Sequence, residues 1–333
     1  MTDADPAVDA DAAADAGPLA DLDPDLRRVV SDIESLGVPP WHALSVREAR
    51  RIEDDLFGGD GDPTETLPVA STLDLGIEGP DGDDLPLRVY RPPETPAPTL
   101  VFFHGGGWCL GTLDSAADLA RRLCRRVGAV VVSVDYRLAP DHRFPAPVDD
   151  AIRALEWTRD HGESLGGNGV VGVAGSSAGA NLAAAAALAT PADTAPAVQT
   201  LLYPITDRAF ATDSYEANAD GPLLTREDMR YFWRQYLRSD VDAANPYAAP
   251  LRAGDLGRTA PAVVVTAERD PLRDDGAAYA ARLSDAGVPV DHLDYDGMCH
   301  GFCSFAGDVP AADDAFDDLA AATREHLAAA RGE

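Results

Sequence analysis

An α/β fold with a mainly parallel sheet is predicted by two features of the chain. Strand-like and helix-like segments alternate from residue 85 onward, and the strand-like runs are short, unbroken and rich in β-branched residues. Continuous apolar strands of this kind are buried on both faces, which requires helices on each side of the sheet.

Taken in chain order, residues 1 to about 22 are mostly Ala, Asp and Pro. They offer too little apolar surface to order themselves and are read as a solvated acidic tail. Two amphipathic helices follow, one through Leu26, Val29, Val30, Ile33 and Leu36 and one from about Val46 to Leu56, split by Pro39-Pro40. Gly58 to Pro63 is a linker. Strands are then expected at Leu85–Tyr90, Leu100–Phe103, Ala129–Val134, Val170–Ala174, Val198–Tyr203, Ala262–Ala267 and Val288–Tyr295. Helices are expected at Ser115–Val127, Val148–Arg159, Ala178–Ala189, Arg226–Leu237, Gly276–Ala286 and near Ala312–Ala329. The stretch from Asp207 to Asn245 is longer than one crossover needs and reads as a helical insertion.

Gly175-Ser176-Ser177-Ala178-Gly179 sits at one strand-to-helix junction. A Gly-x-Ser-x-Gly turn in that context exposes its central serine at the start of a helix, whose N–H groups favour developing negative charge. Ser177 is therefore the candidate nucleophile. His104-Gly105-Gly106-Gly107-Trp108 follows the strand Leu100–Phe103 directly. Bare backbone amides at that position suit the tetrahedral anion of acyl transfer, and the donors expected are Gly106, Gly107 and Ala178. As a dinucleotide loop the segment is poor, because it opens no helix and has no well-placed ribose-binding acid.

Seven histidines compete for the role of base. Only His300 occupies a Gly-flanked loop after the last strand, where the chain order Ser, Asp, His requires it. The acid must lie between Ser177 and His300 at a strand end. Asp270, after the strand Ala262–Ala267, fits best; Asp274, Glu268 and Asp275 are its rivals.

These motifs resemble the hormone-sensitive lipase family of α/β-hydrolase carboxylesterases. The likeness covers about Leu26 to Ala329. It rests on the serine and glycine motifs above with Asp135-Tyr136-Arg137-Leu138-Ala139-Pro140, Tyr203-Pro204-Ile205-Thr206-Asp207, Asp270-Pro271-Leu272-Arg273-Asp274 and His300-Gly301-Phe302. The resemblance implies one hydrolase domain over residues 23–333, with a helical cap from about 23–57 and 208–245. It also implies hydrolysis of short- to medium-chain acyl esters without a cofactor. Ser176 and Ala180 at the elbow depart from the family's usual Asp or Thr and Gly, which blurs the subfamily. Trp108, Trp41, Leu223, Phe232 and Trp233 are expected to line the acyl pocket, with plain packing as the competing role. An amidase or deacetylase would use the same triad, and a small-molecule receptor would use the same scaffold. A zinc site from Cys299, His300, Cys303 and Cys109 is disfavoured by its spacing.

Charge separates this chain from ordinary globular proteins. It carries 57 acidic residues against 27 basic ones, all Arg, for a net charge of −30. The composition resembles that of salt-loving archaea, and so negative a surface excludes nucleic acid and anionic membranes as partners. A small-molecule acyl ester is the expected partner, and a homodimer is allowed for. No apolar run approaches the ~18 residues of a membrane span. The acidic N-terminus lacks the basic residues of a secretion signal, so a cytoplasmic location and free thiols are expected.

Overall fold

The computed structural model describes residues 19–58 and 67–332. The expected tail through residue 18 and the linker beyond Gly58 lie outside the described residues. Leu19 to Leu22, grouped with the tail in the sequence, are packed: Leu22 is buried, and Asp23 N–H donates to the carbonyl of Gly297.

Helices α1 (Pro24–Ser35) and α2 (Val46–Phe57) open the fold. Asp23 caps α1 by accepting from the N–H groups of Asp25 and Leu26, and Ser45 with Glu48 forms a capping box on α2. The strands are β1 (Ser71–Glu78), β2 (Asp84–Arg91), β3 (Ala97–Phe103), β4 (Val130–Val134), β5 (Gly167–Ser176), β6 (Gln199–Leu202), β7 (Ala262–Arg269) and β8 (Val290–Cys299). Interleaved with them are α3 (Ala117–Leu123), α4 (Ala146–His161), α5 (Ala178–Ala189), α6 (Asp213–Ala217), α7 (Arg226–Tyr236), α8 (Arg273–Asp285) and α9 (Pro310–Arg331).

All eight strands form one sheet in the order β1-β2-β4-β3-β5-β6-β7-β8. The pairs from β4 to β8 are parallel; β1–β2 and β2–β4 are antiparallel. Each face carries its own apolar cluster. One packs α4, α5 and α8 through Val148, Leu182 and Tyr279; the other packs α1, α3 and α9 through Leu26, Leu119 and Phe316. Every residue of β4 and β6 is buried between these clusters, the polar Ser133, Gln199 and Thr200 included.

The strand missed in the sequence, β1, lies on the sheet edge and is mostly exposed. Its Leu73-Asp74-Leu75 alternates, so it lacks the continuous run that marks its buried neighbours. The helix expected to reach Val127 ends regularly at Leu123 and finishes in a wider turn, Cys124–Gly128. The insertion after β6 carries α6, α7 and a 3-10 turn at Asp240–Ala244. Among the described residues, no helix is long and apolar enough to cross a membrane.

Candidate active site

The turn from β5 into α5 forces Ser177 into φ 54°, ψ −115°, a backbone shape that L-residues rarely adopt. Its neighbours must be small. A Cβ on Gly175 would meet the Gly179 carbonyl at 2.2 Å, and one on Gly179 would meet the Phe103 carbonyl at 2.0 Å. The two glycines of the motif are thus required by backbone contact between β3, β5 and α5. Ser177 N–H donates to the Leu202 carbonyl, which fixes the elbow to the end of β6.

Ser177 Oγ lies 2.9 Å from His300 Nε2, and His300 Nδ1 lies 2.7 Å from Asp270 Oδ2. Asp270 is fully buried, and its other oxygen accepts the Leu272 N–H at 2.8 Å. Asn218 donates to the carbonyls of Glu268 and Asp270, holding the turn after β7 in place. The ring of Tyr203 packs edge-on against His300 at 4.9 Å. With Asp270 accepting at Nδ1, the neutral imidazole presents Nε2 as acceptor toward the serine hydroxyl. That is the arrangement a proton-transferring base needs.

The rivals for the acid occupy other places. Asp274 accepts the Ser214 N–H, and Glu268 accepts the Gly297 N–H. Burial pushes the Asp275 carboxyl far above the usual carboxylate range, and the nearby Asp207 and Asp270 push it in the same direction. Both nitrogens of His300 are engaged by Ser177 and Asp270, and burial raises the flanking Cys299 and Cys303 thiols far above their ordinary range. Among the described residues, no group of three His, Cys, Asp or Glu side chains is placed to hold a metal ion.

The glycine loop is held by the motif that begins at Asp135. Tyr136 donates its hydroxyl proton to the His104 carbonyl at 2.8 Å and stacks on the His104 ring at 4.4 Å. Burial lowers the pKa of His104 to about 4, so the ring is neutral at pH 7, and its Nδ1 bonds the Gly105 carbonyl. Ala139 N–H donates to the Trp108 carbonyl. Three successive residues, Gly106, Gly107 and Trp108, have positive φ (101°, 59° and 61°). Glycine adopts such values freely; Trp108 does so only because its surroundings hold it.

A cavity of about 570 Å³ opens over Ser177 and His300. Trp41, Leu223 and Phe232, three of the residues expected at an acyl pocket, line this cavity with Gly106, Gly107 and Ile205. Trp108 and Trp233 do not. Both are fully buried beside the cavity, with Trp108 stacked on Tyr236 at 4.1 Å and tilted against Trp233 at 4.8 Å. Their role is to pack the glycine loop onto α7, the role that any large aromatic next to a helix face takes first. Sequence reasoning gave no role to Tyr136, Tyr203 or Arg50. The first two stood inside recognised motifs, where a polar-tipped aromatic beside a glycine loop or histidine is the usable signal.

The roof of the cavity has two parts. Pro39, Pro40 and Trp41 come from the N-terminal segment, and Leu223, Leu224 and Phe232 from the insertion. The two meet at Asp228, whose Oδ1 accepts from His42 N–H and Nδ1, each at 2.8 Å.

Known proteins resemble this chain in sequence and fold. Residues 100–304 match the family described as alpha/beta hydrolase fold. The carboxylic ester hydrolase LipN of Mycobacterium tuberculosis is 39% identical, with 92% of this chain and 83% of that protein aligned. The ethyl acetate hydrolase of Pseudomonas putida is 36% identical over 92% of this chain and 99% of its own. The solved ester-hydrolase EH1AB1 from the Lake Arreo metagenome, complexed with a bipyridine phosphonate derivative, superposes with a TM-score of 0.85. It is 36% identical and covers 92% of this chain and 99% of that one. The chain belongs to the α/β-hydrolase family, in its hormone-sensitive-lipase-like branch, and is a carboxylic ester hydrolase.

Proposed function

We propose that the protein hydrolyses short- to medium-chain acyl esters through an acyl-enzyme on Ser177. The observation that carries this reading is the unbroken chain from Asp270 to His300 to Ser177, at 2.7 and 2.9 Å, beneath a cavity walled largely by apolar residues. Ser177 Oγ attacks the ester carbonyl while His300 Nε2 takes its proton. The oxyanion is met by the N–H groups of Gly106, Gly107 and Ala178. His300 then protonates the leaving alcohol, and water attacks the acyl-enzyme by the reverse sequence. Residues of about 23–57 and 208–245 form a cap over the site. Trp41, Leu223 and Phe232 supply apolar wall for the acyl chain. Ester rather than amide substrates are favoured by the names of the relatives.

Turnover of p-nitrophenyl esters from acetate to decanoate tests this. Activity should peak at short to medium chains and fall at the longest, as the acyl group outgrows the cavity. A folded protein inert toward the whole series would sink the reading.

The surface belongs to the same proposal. Single arginines serve pairs of carboxylates: Arg88 binds Asp74 and Asp114, and Arg126 binds Asp313 and Asp317. With 57 acids and 27 arginines, negative charge exceeds positive by 30. Screening weakens the exposed pairs, each worth about 0–1 kcal/mol. It also removes repulsion summed over a net charge of −30, which is the larger effect. The Debye length falls from about 8 Å at 0.15 M to about 3 Å at 1 M. Tm should therefore rise with NaCl or KCl into the molar range; a maximum in dilute buffer would refute this salt adaptation.

A further inference from the structure

We propose that Arg50, on the N-terminal helix α2, is a positioning residue for hydrolysis: its guanidinium sets the glycine loop that faces the reacting carbonyl. The proposal rests on the reading of Gly106 and Gly107 as oxyanion donors.

Arg50 bridges two segments of chain, the one that follows the glycine loop and the one that follows Asp135. Its Nε donates to the Cys109 carbonyl at 2.8 Å, and its Nη2 donates to the Ala139 carbonyl at 2.9 Å. Ala139 in turn gives its N–H to the Trp108 carbonyl. Trp108 and Cys109 are thereby fixed from outside the loop, immediately after Gly106 and Gly107. Nη1 pairs with Asp141 at 2.9 Å, which orients the fork. One turn further along α2, Glu53 lines the same cavity as Gly111 and Ser115. Across the loop, α7 stacks Tyr236 on Trp108 and lays Phe232 over Gly107, where a Cβ would meet the Phe232 ring at 2.3 Å.

The loop needs this support. Three residues in a row with positive φ, one of them Trp, form a shape that persists only where its surroundings determine it. A planar guanidinium with fixed donors suits two carbonyls at once, which a lysine ammonium on a flexible stem does not match. The roof thus does more than cover the cavity; it also aims the donors.

Displacing catalytic groups by about 1 Å typically lowers turnover about 10²-fold. Arg50→Ala should lower kcat for p-nitrophenyl butyrate by roughly that factor while KM changes little, with the enzyme concentration set by phosphonate active-site titration. Affinity for an acyl trifluoromethyl ketone, which forms a tetrahedral adduct, should fall by the same factor as kcat/KM. Arg50→Lys, keeping one donor, should recover part of the loss. Arg51→Ala, which removes an exposed pair with Asp55 on the same helix, should match wild type. If Arg50→Ala does not fold, Arg50→Lys carries the test through a reduced kcat at full titre. Wild-type kcat per titrated site in either variant overturns the proposal, as does a loss confined to KM. An inert wild type would instead overturn the hydrolase reading on which the proposal rests.

Discussion

Ser177→Ala is expected to lower kcat for short acyl esters by about 10⁶-fold, the size of loss seen when a serine hydrolase loses its nucleophile. The protein should still fold. Ser177 Oγ makes its side-chain bond to His300, and alanine keeps the Cβ that the strained elbow already accommodates. Substrate should still bind, because the cavity wall is untouched. The loss should appear as disappearance of the p-nitrophenol burst and of the acyl adduct on the peptide containing Ser177 after acid quench. A variant that retained both would move the nucleophile elsewhere, and the neighbouring Ser176 would be examined first. Ser176 is equally buried, but it ends β5 rather than occupying the elbow.

Much of this site was legible in the sequence because its chemistry is local. Gly175, Ser177 and Gly179 fall within five residues, and each glycine answers a contact under 2.5 Å made by backbone alone. His300 and Asp270 were found by chain order, since parallel strands deliver their C-terminal ends to one edge of the sheet. What stayed hidden depends on contacts between distant segments. Arg50 meets carbonyls 59 and 89 residues away, and His42 meets Asp228 across 186 residues. Nothing in the local pattern of α2 marks Arg50 apart from Arg47 or Arg51. Trp108 and Trp233 lie outside the cavity lining for a related reason. Composition places aromatics near a site, while the stack with Tyr236 that buries them is a tertiary fact. The edge strand β1 escaped because exposure on an edge removes the apolar run by which the inner strands are recognised.

Asp270→Asn should lower kcat by about 10⁴-fold with the fold intact, and the reason lies in the two oxygens of the carboxylate. One accepts the Leu272 N–H and the other faces His300 Nδ1. An asparagine in this fully buried position has one acceptor and one donor group to place. Turning its NH₂ toward Leu272 would set two donors against each other without water to intervene, a penalty of about 1–3 kcal/mol. The side-chain oxygen therefore stays on Leu272, and the NH₂ meets His300. Nδ1 must then accept, which moves the imidazole proton to Nε2, directly opposite the serine hydroxyl. In that tautomer His300 cannot take the Ser177 proton, although every heavy atom sits where it did. A near-normal KM with kcat reduced by the stated factor would carry the signature of a tautomer defect. Asp274→Asn alters a carboxylate that holds Ser214 instead of the histidine, so its kcat should remain close to wild type. If Asp274→Asn lost turnover while Asp270→Asn kept it, the acid of the triad would have to be reassigned. The wild-type geometry argues against that outcome, because the 2.7 Å contact with Asp270 already occupies Nδ1.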